Sequence, residues 1–216
     1  MEKHIPKFGR LDLIIGPMFS GKSSELIRRI RKYRLCSYNC AIIKFDADNR
    51  YSNDLIMTHD GKRMTAINCH ELYHISNVEQ YDVIGIDEAQ FFSDVFPFCN
   101  EYLKKGKILI VAGLDATYLR TGFENILALV PFANNVDKLS AICMSCGKNA
   151  SFTKRISGEN EIEVVGGLDK YMAVCRDCYK ISSPPKRTPF KSSNTPTFSE
   201  VSKLNYEPPC KRQICI

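Results

Sequence analysis

The chain has 216 residues, a formal net charge of +6 and 44% hydrophobic residues. This is enough to bury a sizeable core in one domain, or in one domain with a small appendage. No apolar run approaches the length of a membrane span, and the first residues show no signal-peptide pattern. We therefore expect a cytoplasmic chain with no membrane partner. The mild positive charge suits an anionic ligand such as a nucleotide and does not require nucleic acid.

The first motif is a phosphate-binding loop between an apolar strand at 11–15 and a helix at 24–35. The loop sequence fits G-x-x-x-x-G-K-S, and its glycines let successive backbone N–H groups point at phosphate oxygens. Lys22 is expected to reach the outer phosphates and Ser23 to face Mg²⁺, while the helix N-terminus adds positive charge. The loop residues are Gly16, Pro17, Met18, Phe19, Ser20, Gly21, Lys22 and Ser23.

Apolar strands and helical stretches alternate after this loop. The predicted elements are a strand at 39–45, a strand at 83–86, a helix at 94–104, a strand at 107–112, a helix at 124–130 and a strand at 138–143. This order is typical of an α/β fold with a mostly parallel sheet and helices on both faces. A polar segment at 46–52 leaves the second strand at the edge where such sheets bind ligands.

Two adjacent acids, Asp87 and Glu88, follow the strand at 83–86. In a phosphate-loop protein, an acid at such a strand end commonly helps to hold Mg²⁺, and we assign that role to Asp87. Glu88 could accept a proton from a hydroxyl, which would make the protein a kinase. It could instead position a water, which would make the protein an ATPase. The pair alone leaves both activities open.

Four of the ten cysteines form two CxxC pairs that are separated by twenty-eight residues: Cys143, Cys146, Cys175 and Cys178. Two such turns can complete a closed tetrahedral site, so we predict structural Zn²⁺. Four buried thiols or a redox CxxC pair are the alternatives. We expect the other six cysteines to be buried or to lie in the tail: Cys36, Cys40, Cys69, Cys99, Cys210 and Cys215.

The composition changes twice along the chain. We predict an α/β domain over 1–142 and a small zinc-binding β subdomain with hairpin-like strands and a loop over 143–181. From residue 182 onward Pro, Ser, Thr and Lys dominate. Such a segment cannot bury enough apolar area to offset its ordering entropy, so we predict a disordered tail over 182–216.

Several blocks together resemble the thymidine kinase family, of the zinc-containing cytosolic type, over about residues 10–180. The blocks are the phosphate loop, residues 86–92 (IDEAQFF), residues 114–117 (LDAT), the CxxC pairs, and residues 166–171 (GGLDKY) between those pairs. Their order and spacing make the resemblance specific. It implies a RecA-like P-loop fold and transfer of the γ-phosphoryl of ATP to the 5′-hydroxyl of thymidine. The products would be dTMP, a DNA precursor made by salvage, and ADP.

The resemblance also implies roles for individual residues. Glu88 matches the general base, and Arg50 would face developing phosphoryl charge. Further positions of the ATP site would be Asp48, Asn49, Arg50, Asp87, Glu88, Ala89 and Gln90. The nucleoside pocket would be formed by Met18, Phe91, Leu114, Tyr118, Phe123, Thr153 and Tyr171. A lid, or lasso, loop would hold the base largely through backbone hydrogen bonds and would contain Ile162, Glu163, Val164, Val165 and Gly166.

Family resemblance further implies a homotetramer, feedback inhibition by dTTP, and deoxyuridine as a substrate beside the preferred thymidine. A zinc-ribbon phosphate-loop ATPase that acts as a nucleic-acid-binding module is the alternative. That alternative predicts ATP turnover stimulated by DNA or RNA, with salt-dependent binding. The chain shows no stripe of interleaved aromatic and basic residues, which favours the kinase and no nucleic-acid partner.

Overall fold

A computed structural model describes residues 8–46, 55–57, 63–157 and 167–180. These residues all belong to one unit, Met1–Lys186. The polar segment with Asp48, Asn49 and Arg50, the lid residues 162–166 and the tail 182–216 lie outside the described residues. The predicted division of the chain at residue 143 stays a prediction.

Strands and helices alternate as the sequence predicts, although the helix predicted at 124–130 ends at Leu127. The strands are β1 (Arg10–Ile15), β2 (Cys40–Phe45), β3 (Leu55–Met57), β4 (Arg63–Thr65), β5 (Ile67–Cys69), β6 (Val83–Asp87), β7 (Ile108–Gly113), β8 (Asn135–Lys138), β9 (Ala141–Ile142), β10 (Asn149–Ala150), β11 (Phe152–Arg155) and β12 (Tyr171–Val174). The α-helices are α1 (Lys22–Leu35), α2 (Val95–Lys104), α3 (Glu124–Leu127) and α4 (Arg176–Lys180). Short 3₁₀ turns are formed by Leu72–His74, Val78–Gln80, Ala89–Phe91 and Val130–Phe132. Within the described ranges, no helix combines the length and the apolarity that crossing a bilayer requires.

Six strands form one parallel sheet in the order β5-β2-β6-β7-β1-β8. The carboxyl ends of β1, β6 and β7 therefore lie along one edge, and each is followed by a loop that carries predicted site residues. The predicted α/β fold with a parallel sheet is confirmed.

Alternate residues of β1 divide the core between the two faces of this sheet. Leu11, Leu13 and Ile15 pack in a cluster with the apolar side of α2. Ile14 belongs to a second cluster, which contains the apolar side of α1. Since the two helices cover opposite faces, the central strands are buried on both sides, as expected for a parallel sheet.

Helix α1 packs closely against the sheet. Leu26 and Ile30 are fully buried and lie over Gly85 of β6, where an added Cβ would come within 3.2 Å of both side chains. On its outer side, Arg29 pairs with Glu25 of the same helix and with Asp137 of β8. The helix that follows the phosphate loop is thus fixed both to the centre of the sheet and to its edge strand.

The predicted continuous strand at 138–143 is wrong. Parallel pairing with β1 ends where the N–H of Leu139 donates to the carbonyl of Ile15, at 2.8 Å. The chain then turns, and β9 pairs antiparallel with β10. Beyond it, β11 pairs antiparallel with β12, and both small sheets contribute to a third core cluster around the CxxC cysteines.

Replacing Phe98 of α2 tests how the core under this helix is packed. Its side chain is fully buried and its ring lies 4.4 Å from that of Tyr102. We expect Phe98→Ala to lower the free energy of unfolding by about 3–5 kcal/mol, because it leaves a cavity. Urea denaturation measures the loss. Phe8→Ala, at a site that is 76% exposed, is the control and should change stability by less than about 0.5 kcal/mol. Similar losses in both variants would contradict this packing.

Candidate active site

The phosphate loop adopts backbone conformations that require its glycines. Gly16 has φ of +145°, and a Cβ there would lie 2.5 Å from the carbonyl oxygen of Leu139. Gly21 has φ of +83° and precedes α1. Ser20 Oγ and Lys22 Nζ each donate to the carbonyl of Pro17, both at 2.8 Å. The loop therefore curls around its own Pro17 carbonyl, with the lysine at its centre.

Lys22 is a buried amine in an acidic environment. Burial lowers the pKa of Lys22, while the charges of Glu88, Asp87 and Asp115 raise it. Asp115 itself pairs with Lys138, at 2.7 Å. The site therefore places one buried cation against three carboxylates at the carboxyl ends of β6 and β7.

Asp87 is buried at the end of β6 and contacts the first helical turn of α1. Burial and the neighbouring charge of Glu88 raise the pKa of Asp87, while a hydrogen bond from Ser23 and the charge of Lys22 lower it. Ser23 and Asp87, the two predicted Mg²⁺ ligands, are thus brought together. A hydroxyl and a carboxylate are oxygen ligands of the kind that Mg²⁺ prefers.

Glu88 lies where the chain turns sharply after β6. Its backbone is left-handed, with φ of 52° and ψ of 41°, a conformation uncommon outside glycine and often found at functional sites. Its carboxylate accepts a hydrogen bond from Gln90 Nε2 at 2.7 Å, and Gln90 Oε1 accepts one from the N–H of Leu114 at 3.0 Å. The ends of β6 and β7 are therefore joined through the Gln90 amide.

The phosphate loop also contacts the small sheets near the cysteines. The N–H of Met18 donates to Thr153 Oγ1 of β11, at 2.9 Å. Phe19, with φ of +65°, packs against the third core cluster. Two residues that the sequence assigns to the nucleoside pocket, Met18 and Thr153, thus lie in contact although they are far apart in the chain.

Arg155 is a buried residue that the sequence analysis missed. Its guanidinium carbon lies 4.0 Å from the ring centroid of Tyr118 and 5.2 Å from that of Tyr171. It also donates to Tyr171 Oη at 2.6 Å. Arg155 comes two residues after Thr153, so both side chains lie on the same side of β11. This spacing is the one feature of the sequence that could have indicated Arg155 as a pocket residue. Tyr118 and Tyr171, both predicted pocket residues, are joined through this cation.

The remaining predicted pocket residues have other neighbours. Phe91 is half-buried and its ring lies 5.5 Å from that of Phe45. Phe123 precedes α3 and packs on the core cluster under α2, while its N–H donates to the carbonyl of Asp115 at 3.2 Å. Ala89, predicted to lie in the ATP site, is fully buried. The ligand contacts of these three residues stay predictions.

The two CxxC pairs meet in one cluster. The Sγ atoms of Cys143, Cys146, Cys175 and Cys178 lie within 4.8 Å of one another. Burial raises the pKa of Cys143, but hydrogen bonds from the backbone N–H groups of Cys175, Cys146 and Ser145 together lower it to about 6. At Cys178, a hydrogen bond from Ser145 lowers the pKa, but desolvation and the other three thiols raise it to about 12. Four thiols this close favour a shared cation, which would stabilise their thiolate forms.

The other described cysteines follow the expectation in part. Cys40 and Cys99 are buried and Cys69 is half-buried. Cys36 is exposed, contrary to the expectation, because it follows the last turn of α1 on the surface. Cys210 and Cys215 lie outside the described residues.

Comparison with known proteins gives consistent matches. A sequence profile described as thymidine kinase matches residues 9–179. The thymidine kinase of Vaccinia virus (strain Ankara) is 51% identical over 160 residues, which cover 74% of this chain and 90% of the relative. The thymidine kinases of Monkeypox virus and Variola virus are 51% and 50% identical with the same coverage. The matched range includes the phosphate loop, the two acids and all four clustered cysteines.

The hydrogen bond between Met18 and Thr153 should stabilise the fold. We expect Thr153→Val to lower the free energy of unfolding by about 1–3 kcal/mol, because it leaves the N–H of Met18 without its acceptor in a part-buried place. Thr117→Val is the matched control. It removes a 3.2 Å bond from the exposed N–H of Leu119, which water can replace. Equal effects in urea denaturation would contradict the role given to Thr153.

Proposed function

The chain belongs to the thymidine kinase family, and we propose that it transfers the γ-phosphoryl of ATP to the 5′-hydroxyl of thymidine, giving dTMP and ADP. One observation supports this reaction above others. Glu88 lies next to the buried lysine of a phosphate loop and is linked through Gln90 to Leu114, on the nucleoside side. A carboxylate in that place can act as the general base for a hydroxyl that accepts the phosphoryl group.

The loop from Gly16 to Ser23 is proposed to bind ATP. Its backbone N–H groups and the amine of Lys22 bind the phosphates, and Lys22 exchanges its bond to the carbonyl of Pro17 for one to a phosphate oxygen. Burial lowers the pKa of Lys22, and the charges of Glu88, Asp87 and Asp115 oppose this effect only in part. A bound phosphate would add negative charge beside the amine and would favour its protonated form.

Phosphoryl transfer needs a base at the nucleoside hydroxyl. As the thymidine 5′-oxygen bonds to the γ-phosphorus, the bond from that phosphorus to the β,γ-bridging oxygen breaks and ADP leaves. Glu88 accepts the hydroxyl proton and later releases it to solvent. Arg50, outside the described residues, is proposed to face the transferring phosphoryl group.

Mg²⁺ fits the oxygens of Ser23 and Asp87. The raised pKa of Asp87 reflects a carboxylate that is buried beside a second acid, and a divalent cation would favour its ionised form. When bound, Mg²⁺ offsets negative charge on the phosphates during transfer.

The nucleoside is proposed to bind between the phosphate loop and β11. Met18 and Thr153 form one side, while Tyr118 and Tyr171 are joined by Arg155 on another. Such a slot suits a flat, largely apolar base with few polar groups. Phe91, Leu114 and Phe123 are proposed to complete the pocket, and the lid residues 162–166 to cover the base.

Zinc fits the four-cysteine cluster. A Zn–S distance of about 2.3 Å in a tetrahedron places the sulfurs about 3.8 Å apart, and Cys146 Sγ lies 3.6 Å from Cys175 Sγ. With four protein ligands the ion would be structural. Helix α4 contains both Cys178 and Tyr179, and Tyr179 Oη donates to the carbonyl of Tyr118 at 2.7 Å. Metal binding would thereby help to hold one side of the nucleoside pocket.

Four finer properties are proposed on the support of family membership. They are feedback inhibition by dTTP, a homotetramer, activity toward deoxyuridine and a cytoplasmic location. The eight described cysteines form no disulfide with one another, which agrees with a reducing compartment. Nothing in the described part of the chain favours the nucleic-acid-binding ATPase.

The direct test is to follow ADP and dTMP together, with purified protein and MgATP, in the presence and absence of thymidine. We expect ADP to form only with thymidine and to equal dTMP one for one. ADP formation without thymidine and without dTMP would show an ATPase instead. Addition of DNA or RNA should leave turnover unchanged.

Glu88→Gln tests the general base. The variant keeps the shape of the side chain but cannot accept the proton, so kcat should fall about 10²- to 10⁴-fold. ATP binding, measured by calorimetry, should change little. Glu101→Gln on α2, away from the carboxyl edge of the sheet, is the control and should keep normal turnover. A normal kcat in Glu88→Gln would remove Glu88 from the role of base.

Metal analysis of the purified full chain tests the cysteine cluster. We expect about one zinc per chain and loss of most of it in Cys146→Ser, because three thiolates hold Zn²⁺ less tightly than four. The KM for thymidine should rise in that variant, since α4 and Tyr179 lose their anchor. Cys36→Ser, at the exposed cysteine, should keep its zinc. Intact protein without zinc would end the proposal.

A further inference from the structure

Gln90 is buried next to Glu88, the proposed general base, and its side-chain amide contacts that residue. Gln90 is only 5% exposed, so its amide is shielded from water. Nε2 donates to Glu88 Oε2 at 2.7 Å, and Oε1 accepts from the N–H of Leu114 at 3.0 Å. One amide therefore spans the gap between the residues that follow β6 and those that follow β7.

The chemistry of these two partners explains why an amide stands here. The N–H of Leu114 can only donate, and an ionised carboxylate can only accept. A side chain between them must offer an acceptor on one side and a donor on the other, and glutamine offers both. Glutamate would offer acceptors alone, and methionine would satisfy neither partner.

Gln90 is itself held firmly. Asn125 Nδ2 donates to the carbonyls of Gln90 and Phe92, both at 3.0 Å. Gly113 leaves room for the amide, because a Cβ at that position would lie 3.2 Å from Gln90 Oε1. Asn125 of α3 thus fixes the backbone of Gln90, and β7 leaves room for its side chain at Gly113.

Three features of Glu88 indicate that its carboxylate needs a neighbouring group to orient it. Its backbone is left-handed, its side chain is only part-buried, and the charge of Asp87 lies next to it. Neighbouring carboxylates repel each other, and an amide donor offsets this repulsion while it favours one rotamer. A base that loses its orientation loses much of its effect even when its chemistry is intact.

We propose that Gln90 is a positioning residue that orients the Glu88 carboxylate and fixes it relative to Leu114 on the nucleoside side. This assignment rests on the proposed kinase reaction. It differs from the role that the family resemblance implies, in which Gln90 belongs to the ATP-binding segment. In the new role Gln90 acts on the acceptor side of the reaction and touches neither phosphate nor metal.

Gln90→Met tests this role, since methionine has similar length and no hydrogen-bonding group. We expect kcat for thymidine to fall about 10- to 100-fold, with the KM for ATP within about twofold of the wild-type value. Gln80→Met, the same change on an exposed 3₁₀ turn, is the control and should leave both constants unchanged. If Gln90→Met lowers the melting temperature strongly, Gln90→Glu replaces it. That variant keeps an acceptor for Leu114, loses the donor to Glu88, and should show the same loss of kcat.

The second measurement combines Gln90→Met with Glu88→Gln. If Gln90 acts through Glu88, the Gln90→Met change should lower kcat less than about threefold when Glu88 is already replaced by Gln. Full multiplication of the two losses would overturn the proposal, as would a normal kcat in Gln90→Met or an effect confined to the KM for ATP. Failure of the wild-type protein to form dTMP would instead reject the proposed function, before any variant is compared.

Discussion

A buried lysine and three carboxylates at the carboxyl edge of the sheet impose the constraint on which the site depends. Asp87, Glu88 and Asp115 lie at the carboxyl ends of neighbouring parallel strands, so their charges converge on Lys22. Burial opposes charge on Lys22 and Asp87 alike, and each of these two ions is stabilised by the opposite charge of the other. These groups together form the proposed site for phosphates and a divalent cation, and burying them opposes the stability of the fold.

The small sheets around the cysteines complete this edge from the other side. Met18 and Phe19, within the phosphate loop, contact Thr153 and the third core cluster. The loop that is proposed to bind phosphate is therefore also part of the wall against which the nucleoside is proposed to lie. Because Tyr179 follows the last CxxC pair and bonds to Tyr118, the cysteine cluster is connected to the same wall. The proposed zinc site and the proposed nucleoside pocket are therefore parts of one arrangement.

Local patterns in the sequence predicted much of this structure, and long-range contacts account for the rest. The phosphate loop, the acids after β6 and the two CxxC pairs each have a motif that can be recognised within a few residues. Arg155 has none, because its role comes from Tyr118 and Tyr171, which reach it from two other segments. The break between β8 and β9 was missed for a similar reason, since it is set by where pairing with β1 ends. Gln90 was named, but its partner Leu114 becomes its neighbour only through the order of strands in the sheet.

A crystal structure of the full chain with Mg²⁺, a non-hydrolysable ATP analogue and thymidine would test the central claim most directly. The quantity to measure is the distance from the Glu88 carboxylate to the thymidine 5′-oxygen. We expect a direct hydrogen bond of about 2.6–3.2 Å between these two groups, or one bridging water. The thymine ring should lie beside Thr153 and Tyr171. A nucleoside bound elsewhere, or a 5′-oxygen out of reach of Glu88 in the complete complex, would contradict it.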